Sequence, residues 1–186
     1  VNVTVDTLAL TGLSADTRYD FYVRSDCGSD SSGYVGPFTF RTSCGTSTAP
    51  YFENFDGGLS PCWINDTTDV LDWSANSGGT PSSSTGPSDD VTGGGSYIYV
   101  ETSGSAAGDS AMITTGTINL GGFTSPTVRM YTHMLGGSMG ELSLWISVAG
   151  GPLTQVFVKS GDQGDLWAVE YIDLSGYAGG GDDVKF

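Results

Sequence analysis

Apolar residues in this chain recur at every second position in short runs and almost never at helical spacing. The runs are Val3 to Leu10, Tyr19 to Arg24, Pro37 to Arg41, Tyr97 to Glu101, Thr127 to Met134, Leu142 to Val148, Gln155 to Val158 and Trp167 to Leu174. Clusters of Gly, Ser, Asp and Pro separate them. Period-two runs with turn signals between them predict half-buried strands, so the fold class is all-β and built of sandwiches. The 29 glycines would suggest disorder in a highly charged chain, but only 15% of residues are charged and 11% are aromatic. That composition supplies a core. The shift at Ser43-Cys44-Gly45-Thr46-Ser47-Thr48-Ala49-Pro50 reads as a junction, dividing the chain into residues 1–43, a linker 44–50 and a second domain 51–186.

Charge narrows the partners. The net charge is −15, and the six basic residues are scattered singly. A nucleic-acid face or an anionic membrane surface needs clustered Lys and Arg, so neither is an expected partner. No apolar run of about 18 residues is present, which excludes a transmembrane helix and membrane insertion by one. The N-terminus has a strand pattern and no charged n-region, so a secretion signal is expected upstream of Val1.

One stretch is unlike a simple connection. In Asp72-Trp73-Ser74-Ala75-Asn76-Ser77 and on through Ser88, an aromatic strand end runs into a tract of Ser, Gly, Thr and Pro. The tract ends in Asp89 and Asp90. Loops this long inside a domain are functional or disordered, and two prolines and flanking carboxylates favour an ordered loop beside a ligand or ion.

The first segment carries a motif. Leu10-Thr11-Gly12-Leu13-Ser14-Ala15-Asp16-Thr17-Arg18-Tyr19 leads into Asp20-Phe21-Tyr22-Val23-Arg24, and Gly36-Pro37-Phe38-Thr39-Phe40-Arg41-Thr42 follows. This resembles strands E, F and G of a fibronectin type III domain, with Tyr19 as its tyrosine corner. Tyr19, Phe21 and Val23 are then expected to face inward, and Asp20, Tyr22 and Arg24 outward. The resemblance covers only the C-terminal part of such a domain. It implies a segment cut from a longer chain, one that frays or aggregates alone because a sheet edge and core stay open.

The second segment carries a longer series of landmarks: Phe55-Asp56, Cys62-Trp63, Asp72-Trp73, Thr80-Pro81, Thr85-Gly86-Pro87-Ser88 and Tyr97 to Glu101. These continue with Gly108-Asp109-Ser110-Ala111, Tyr131-Thr132-His133-Met134, Gly140 with Leu142, Ser160 to Gly164 and Trp167. In this order they resemble a MAM domain, the extracellular module of meprins, neuropilins and receptor tyrosine phosphatases. The resemblance implies a jelly-roll-like antiparallel β-sandwich lacking its last strand or strands. Asn54 departs from the pattern, since animal members usually carry Asp there. The low-charge, Gly/Ser/Thr-rich style and incomplete cysteine pattern look like a bacterial version.

Little in the chain points to catalysis. Gly136-Gly137-Ser138-Met139-Gly140 spells G-x-S-x-G, but that nucleophile motif requires a helix after it. An alternating strand, Glu141 to Val148, follows instead, and the same turn is a landmark of the resembled family. His133 is the only histidine. It lacks His or Cys partners for zinc, and the resemblance makes it a packed strand residue. Trp63, Trp73, Trp145 and Trp167 read as core or strand-packing residues, an exposed aromatic platform for sugar being the alternative.

The resemblance places cation ligands at Asp56, Asp89 and Asp90. Calcium takes six to eight oxygens, and loop carbonyls would supply the remainder. The other reading of Asp89 and Asp90 is that they cap turns. Asp66, Asp69 and Asp72 read as a solvated acidic loop, and Asp162, Asp165, Asp182 and Asp183 as hairpin residues. Cys27 and Cys44 end consecutive antiparallel strands at opposite poles, beyond disulfide reach. Animal MAM domains close a similar N-terminal loop, so the resemblance implies a Cys44–Cys62 disulfide, with Cys27 free or paired to a cysteine upstream.

The expected function is a non-catalytic extracellular adhesion or recognition module of a large secreted or cell-surface protein. Its expected partners are extracellular protein or glycan and other domains of the same chain. Two other readings are an accessory glycan- or substrate-binding module of a secreted hydrolase or metalloprotease, and a structural spacer.

Overall fold

The computed structural model describes residues 7–179 and 183–186. It divides into two compact units, 1–45 and 46–186. In the first unit, β1 (Arg18–Val23) pairs antiparallel with β2 (Val35–Arg41). Opposed residues include Tyr19 with Phe40 and Phe21 with Phe38, so aromatic side chains line one face of the hairpin. Their rings meet at 5.8 Å and 5.4 Å between centroids. The Ser14 N–H donates to the Tyr19 hydroxyl at 2.9 Å, five residues on.

Two expectations for this unit fail. Thr7 to Leu10 form no strand and leave Leu8 and Leu10 exposed, while residues 3–6 of that run lie outside the described residues. Phe21 and Val23 share a face with the other apolar side chains but stay 43% and 49% exposed. Alternation selects a face, and burial additionally requires a second layer. Within this unit the face is only partly covered: Tyr19 and Phe40 are half-buried, while Phe21 and Val23 stay exposed.

The second unit contains β3 (Ser47–Thr48), β4 (Ile64–Asn65), β5 (Trp73–Asn76), β6 (Tyr97–Val100), β7 (Ile113–Thr114), β8 (Ile118–Asn119), β9 (Thr127–Met134), β10 (Glu141–Val148), β11 (Thr154–Ser160), β12 (Gly164–Asp173) and β13 (Asp183–Lys185). One sheet has the order β11-β10-β13-β8-β3, and β12 with β9 forms another. The pairs β4–β7 and β5–β6 complete the architecture. All pairings are antiparallel except β3 with β8. Ser47 and Thr48, read in the sequence as linker, thus form an edge strand.

The core lies between the five-stranded sheet and the β9–β12 pair. Ile118, Ile146 and Val184 face Ile172 and Leu174 there, with Met130, Leu144 and Phe157 packed around them. Each fully buried aliphatic side chain contributes roughly 1.5–3 kcal/mol of transfer free energy. One ion pair crosses this interior. Lys159 on β11 pairs with Glu170 on β12, the two side chains being 22% and 17% exposed, and the Thr132 hydroxyl donates to the same carboxylate oxygen at 3.2 Å.

The long loop between β5 and β6 is folded onto the unit. The Tyr97 hydroxyl donates to the Gly78 carbonyl at 2.7 Å, the Thr80 hydroxyl to the Thr85 carbonyl at 2.8 Å, and Pro87 is buried. The indole N–H of Trp167 donates to the Asp89 carbonyl at 3.0 Å. Trp167 of β12 accounts for an anomaly on β9. Arg129 and Tyr131 are exposed, and alternation would expose His133 too, yet its side chain is 3% exposed. Trp167 stacks edge-on against it at 5.4 Å and against Tyr97 at 5.8 Å.

Candidate functional site: two carboxylates around Gly95

The turn that carries Asp56 is built from its own side chains. The Phe55 N–H donates to Glu53 at 2.8 Å, and the Asn54 amide brackets Asp56, accepting from its N–H at 3.1 Å and donating to its Oδ2 at 2.7 Å. Phe55 adopts φ 61°, a conformation that bulky residues rarely take. Its ring packs edge-on to Trp63 at 5.0 Å, which holds it there. The turn thereby aims Asp56 Oδ1 at the Ser96 N–H, 2.8 Å away and 40 residues on.

Asp90 organises the facing loop. Its Oδ2 accepts from the Thr92 hydroxyl at 2.6 Å and the Thr92 N–H at 3.0 Å, while its Oδ1 accepts from the Gly95 N–H at 2.8 Å. These bonds, the Thr92 hydroxyl foremost, hold its carboxyl at about 2, well below the usual carboxylate range, because each donor favours the charged form. Asp89 has another role: its Oδ1 accepts from the Asp90 N–H at 2.9 Å, and its carbonyl receives the Trp167 indole.

Gly95 is where the two loops meet. A Cβ on this residue would lie 2.6 Å from Asp56 Oδ1 and 2.8 Å from Asp90 Oδ2, so no side chain fits without displacing a carboxylate. Asp56 and Asp90 thus converge on one point. Neither belongs to an ion pair among the described residues. Asp89 does not join them: the three acidic side chains do not all bring oxygens within 4.8 Å of one another. Of three residues named from the sequence, two converge on Gly95 and the third shapes the loop beside it. The donors present are hard, anionic oxygens, the type that suits Ca²⁺.

The other sequence candidates separate. Ser138 lies in the turn between β9 and β10, with a strand after it and no helix. His133 engages Asp165 through Nε2 at 3.1 Å, and its buried Nδ1 has no partner. Asp66 accepts from the Thr68 N–H and hydroxyl, and Asp69 accepts from the Met112 N–H, which ties that acidic loop to residues 110–112. Cys44 and Cys62 are disulfide-bonded, and Cys27 is an exposed free thiol.

Sequence reasoning missed the partners that make the carboxylates converge: Thr92, Gly95 and Ser96. The run Gly93-Gly94-Gly95 directly after the acidic pair was the available signal, since consecutive glycines mark close approach of other groups to backbone. The sequence reads Trp145 as a core or strand-packing residue, with an exposed platform as the alternative. On β10 the indole points opposite to the buried Ile146 and is 41% exposed.

Among the described residues, no helix is long and apolar enough to cross a membrane. Residues 52–179 match the family model described as MAM domain, meprin/A5/mu. The match spans the Asp56 turn, the loop to Gly95, both strands of the β9–β12 pair and, of the five-stranded sheet, β8, β10 and β11. It covers well over half of the sequence, and the chain belongs to the MAM family.

Proposed function

We propose that this chain is a non-catalytic adhesion or recognition module of a larger secreted or cell-surface protein. MAM domains are extracellular, adhesion-type modules without catalysis, and the match over residues 52–179 is the observation that carries the reading. The first unit fits the end of a preceding fibronectin type III domain. Supporting that is the Tyr19 hydroxyl bonded to the backbone N–H of Ser14, the contact that defines a tyrosine corner. Beads coated with residues 1–186 test the main reading against albumin-coated beads. Clustering with one another, or retention on extracellular-matrix surfaces under flow, is the expected result. Parity with albumin in both assays overturns it.

Within this reading, Asp56 and Asp90 hold a hard cation, Ca²⁺ being the fitting one, with loop carbonyls completing its oxygen shell. The supporting observation is the convergence on a glycine of two carboxylates that belong to no ion pair among the described residues. An ion bound only by the folded state stabilises it by about 2.7 kcal/mol at a hundred times its Kd. Millimolar calcium is therefore expected to raise the melting temperature of the parent and not of Asp56→Asn/Asp90→Asn. An unchanged melting temperature in the parent sinks the cation assignment.

A further inference from the structure

The outer face of the five-stranded sheet holds a second constellation, away from the carboxylate pair. On β10, Leu144, Ile146 and Val148 turn into the core, so Ser143, Trp145 and Ser147 share the opposite face. Trp145 is 41% exposed, and its indole N–H donates to Ser143 Oγ at 3.0 Å, tying the edge of the ring to the sheet. Ser147 sits two residues further, roughly 7 Å along the strand. It opposes Lys185 of β13 in register, which brings Lys185 to the same face. Asp183 follows by alternation, and its Oδ1 accepts from the Asn119 amide at 2.7 Å.

A cavity of about 370 Å³ opens there, lined by Thr117, Ser147, Asp183 and Lys185 among others. Neither Asp183 nor Lys185 belongs to an ion pair among the described residues. The cavity therefore presents a carboxylate and an ammonium group outside any ion pair, the Thr117 hydroxyl, and the Ser147 hydroxyl, which donates to the Gly151 carbonyl at 2.7 Å; the exposed Trp145 lies two residues from Ser147 along β10.

The geometry points to a glycan subsite in which Trp145 stacks on one sugar ring and the cavity takes the hydroxyls of the next. An aromatic face accepts the C–H side of a pyranose. A carboxylate accepts from its hydroxyls, and an ammonium donates to them. Charge selects the class. The two ionic groups cancel within the subsite, whereas the chain as a whole carries −15 and repels polyanions. The ligand is thus a neutral polysaccharide and not an acidic one. The inference rests on the recognition reading and names what is recognised.

Affinity electrophoresis of residues 1–186 through gels containing laminarin, mixed-linkage β-glucan, galactomannan or xylan tests it, with polygalacturonate as the acidic control. Retardation in at least one neutral gel is expected, at least tenfold weaker in Trp145→Ala and in Lys185→Gln. It should be unchanged in Tyr171→Ala, which removes an exposed aromatic from the other sheet. If Trp145→Ala loses its cooperative unfolding, Lys185→Gln carries the comparison. Retardation in none of the neutral gels, retardation by polygalacturonate alone, or binding indifferent to both variants overturns the subsite. Absent polysaccharide binding with intact bead retention removes this inference and leaves the adhesion reading standing; failure of both removes both.

Discussion

Replacing Trp167 by Phe separates the two things this residue does. Its ring packs edge-on against Tyr97 and His133, and its N–H is the bond from β12 to the Asp89 carbonyl. Phenylalanine keeps an aromatic ring in place and deletes the donor, leaving a partly buried carbonyl unpaired. One such hydrogen bond contributes about 1 kcal/mol, and the unpaired acceptor adds to the loss. With some packing lost to the smaller ring, Trp167→Phe is expected to cost about 1–2 kcal/mol. Trp167→Ala removes both ring contacts as well and is expected to cost about 3–5 kcal/mol. Urea unfolding followed by far-UV circular dichroism measures both. Hydrogen exchange supplies the local readout: the amides of Gly95 and Ser96, which donate to Asp90 and Asp56, should exchange faster in Trp167→Phe than the global loss of stability accounts for. If Trp167→Phe stays within about 0.5 kcal/mol of the parent, the range of an ordinary surface change, and those amides remain as protected, then the indole does not hold the loop.

Three further outcomes are expected. Ile146→Ala, at a side chain 1% exposed in the centre of the core, should lower stability by about 2–5 kcal/mol in the same urea assay, and Ile146→Val by about 0.5–1.5. In the first unit, Tyr19→Phe deletes the bond to Ser14 and should cost about 0.5–1.5 kcal/mol, read as faster amide exchange confined to residues 7–45. Asp90 has a folded-state carboxyl held down at about 2, so its contribution is complete above the ordinary value near 4 and is lost as pH falls from there towards 2; an acid titration of stability should show this limb in the parent and not in Asp90→Asn.

Much of the fold was legible because the long strands are amphipathic. Thr127 to Met134 and Glu141 to Val148 alternate cleanly, and both form strands with those bounds. The two-residue strands β3, β4, β7 and β8 were not legible, since two residues cannot display a period. Phe21 and Val23 show a different limit: a pattern states which side chains share a face, but not whether anything covers it. At the site, the resemblance supplied Asp56 and Asp90, while their meeting depends on loops 40 residues apart in sequence. The Trp167 to Asp89 bond spans 78 residues and leaves no local trace at all.

The Lys159–Glu170 pair has a consequence for strand pairing. β11 is an outer strand of its sheet, where the backbone of one side lacks a ladder partner among the described residues, and such strands tend to slide or to recruit a neighbouring chain. A slide of one residue exchanges the two faces of a strand. In β11 it would carry the Lys159 ammonium out to solvent, strand Glu170 inside without its counter-charge, and put the smaller Val156 or Val158 where Phe157 packs. A single inward lysine therefore makes one alignment of the strand far better than its nearest competitors. The same charge makes the edge a poor template for stacking another copy.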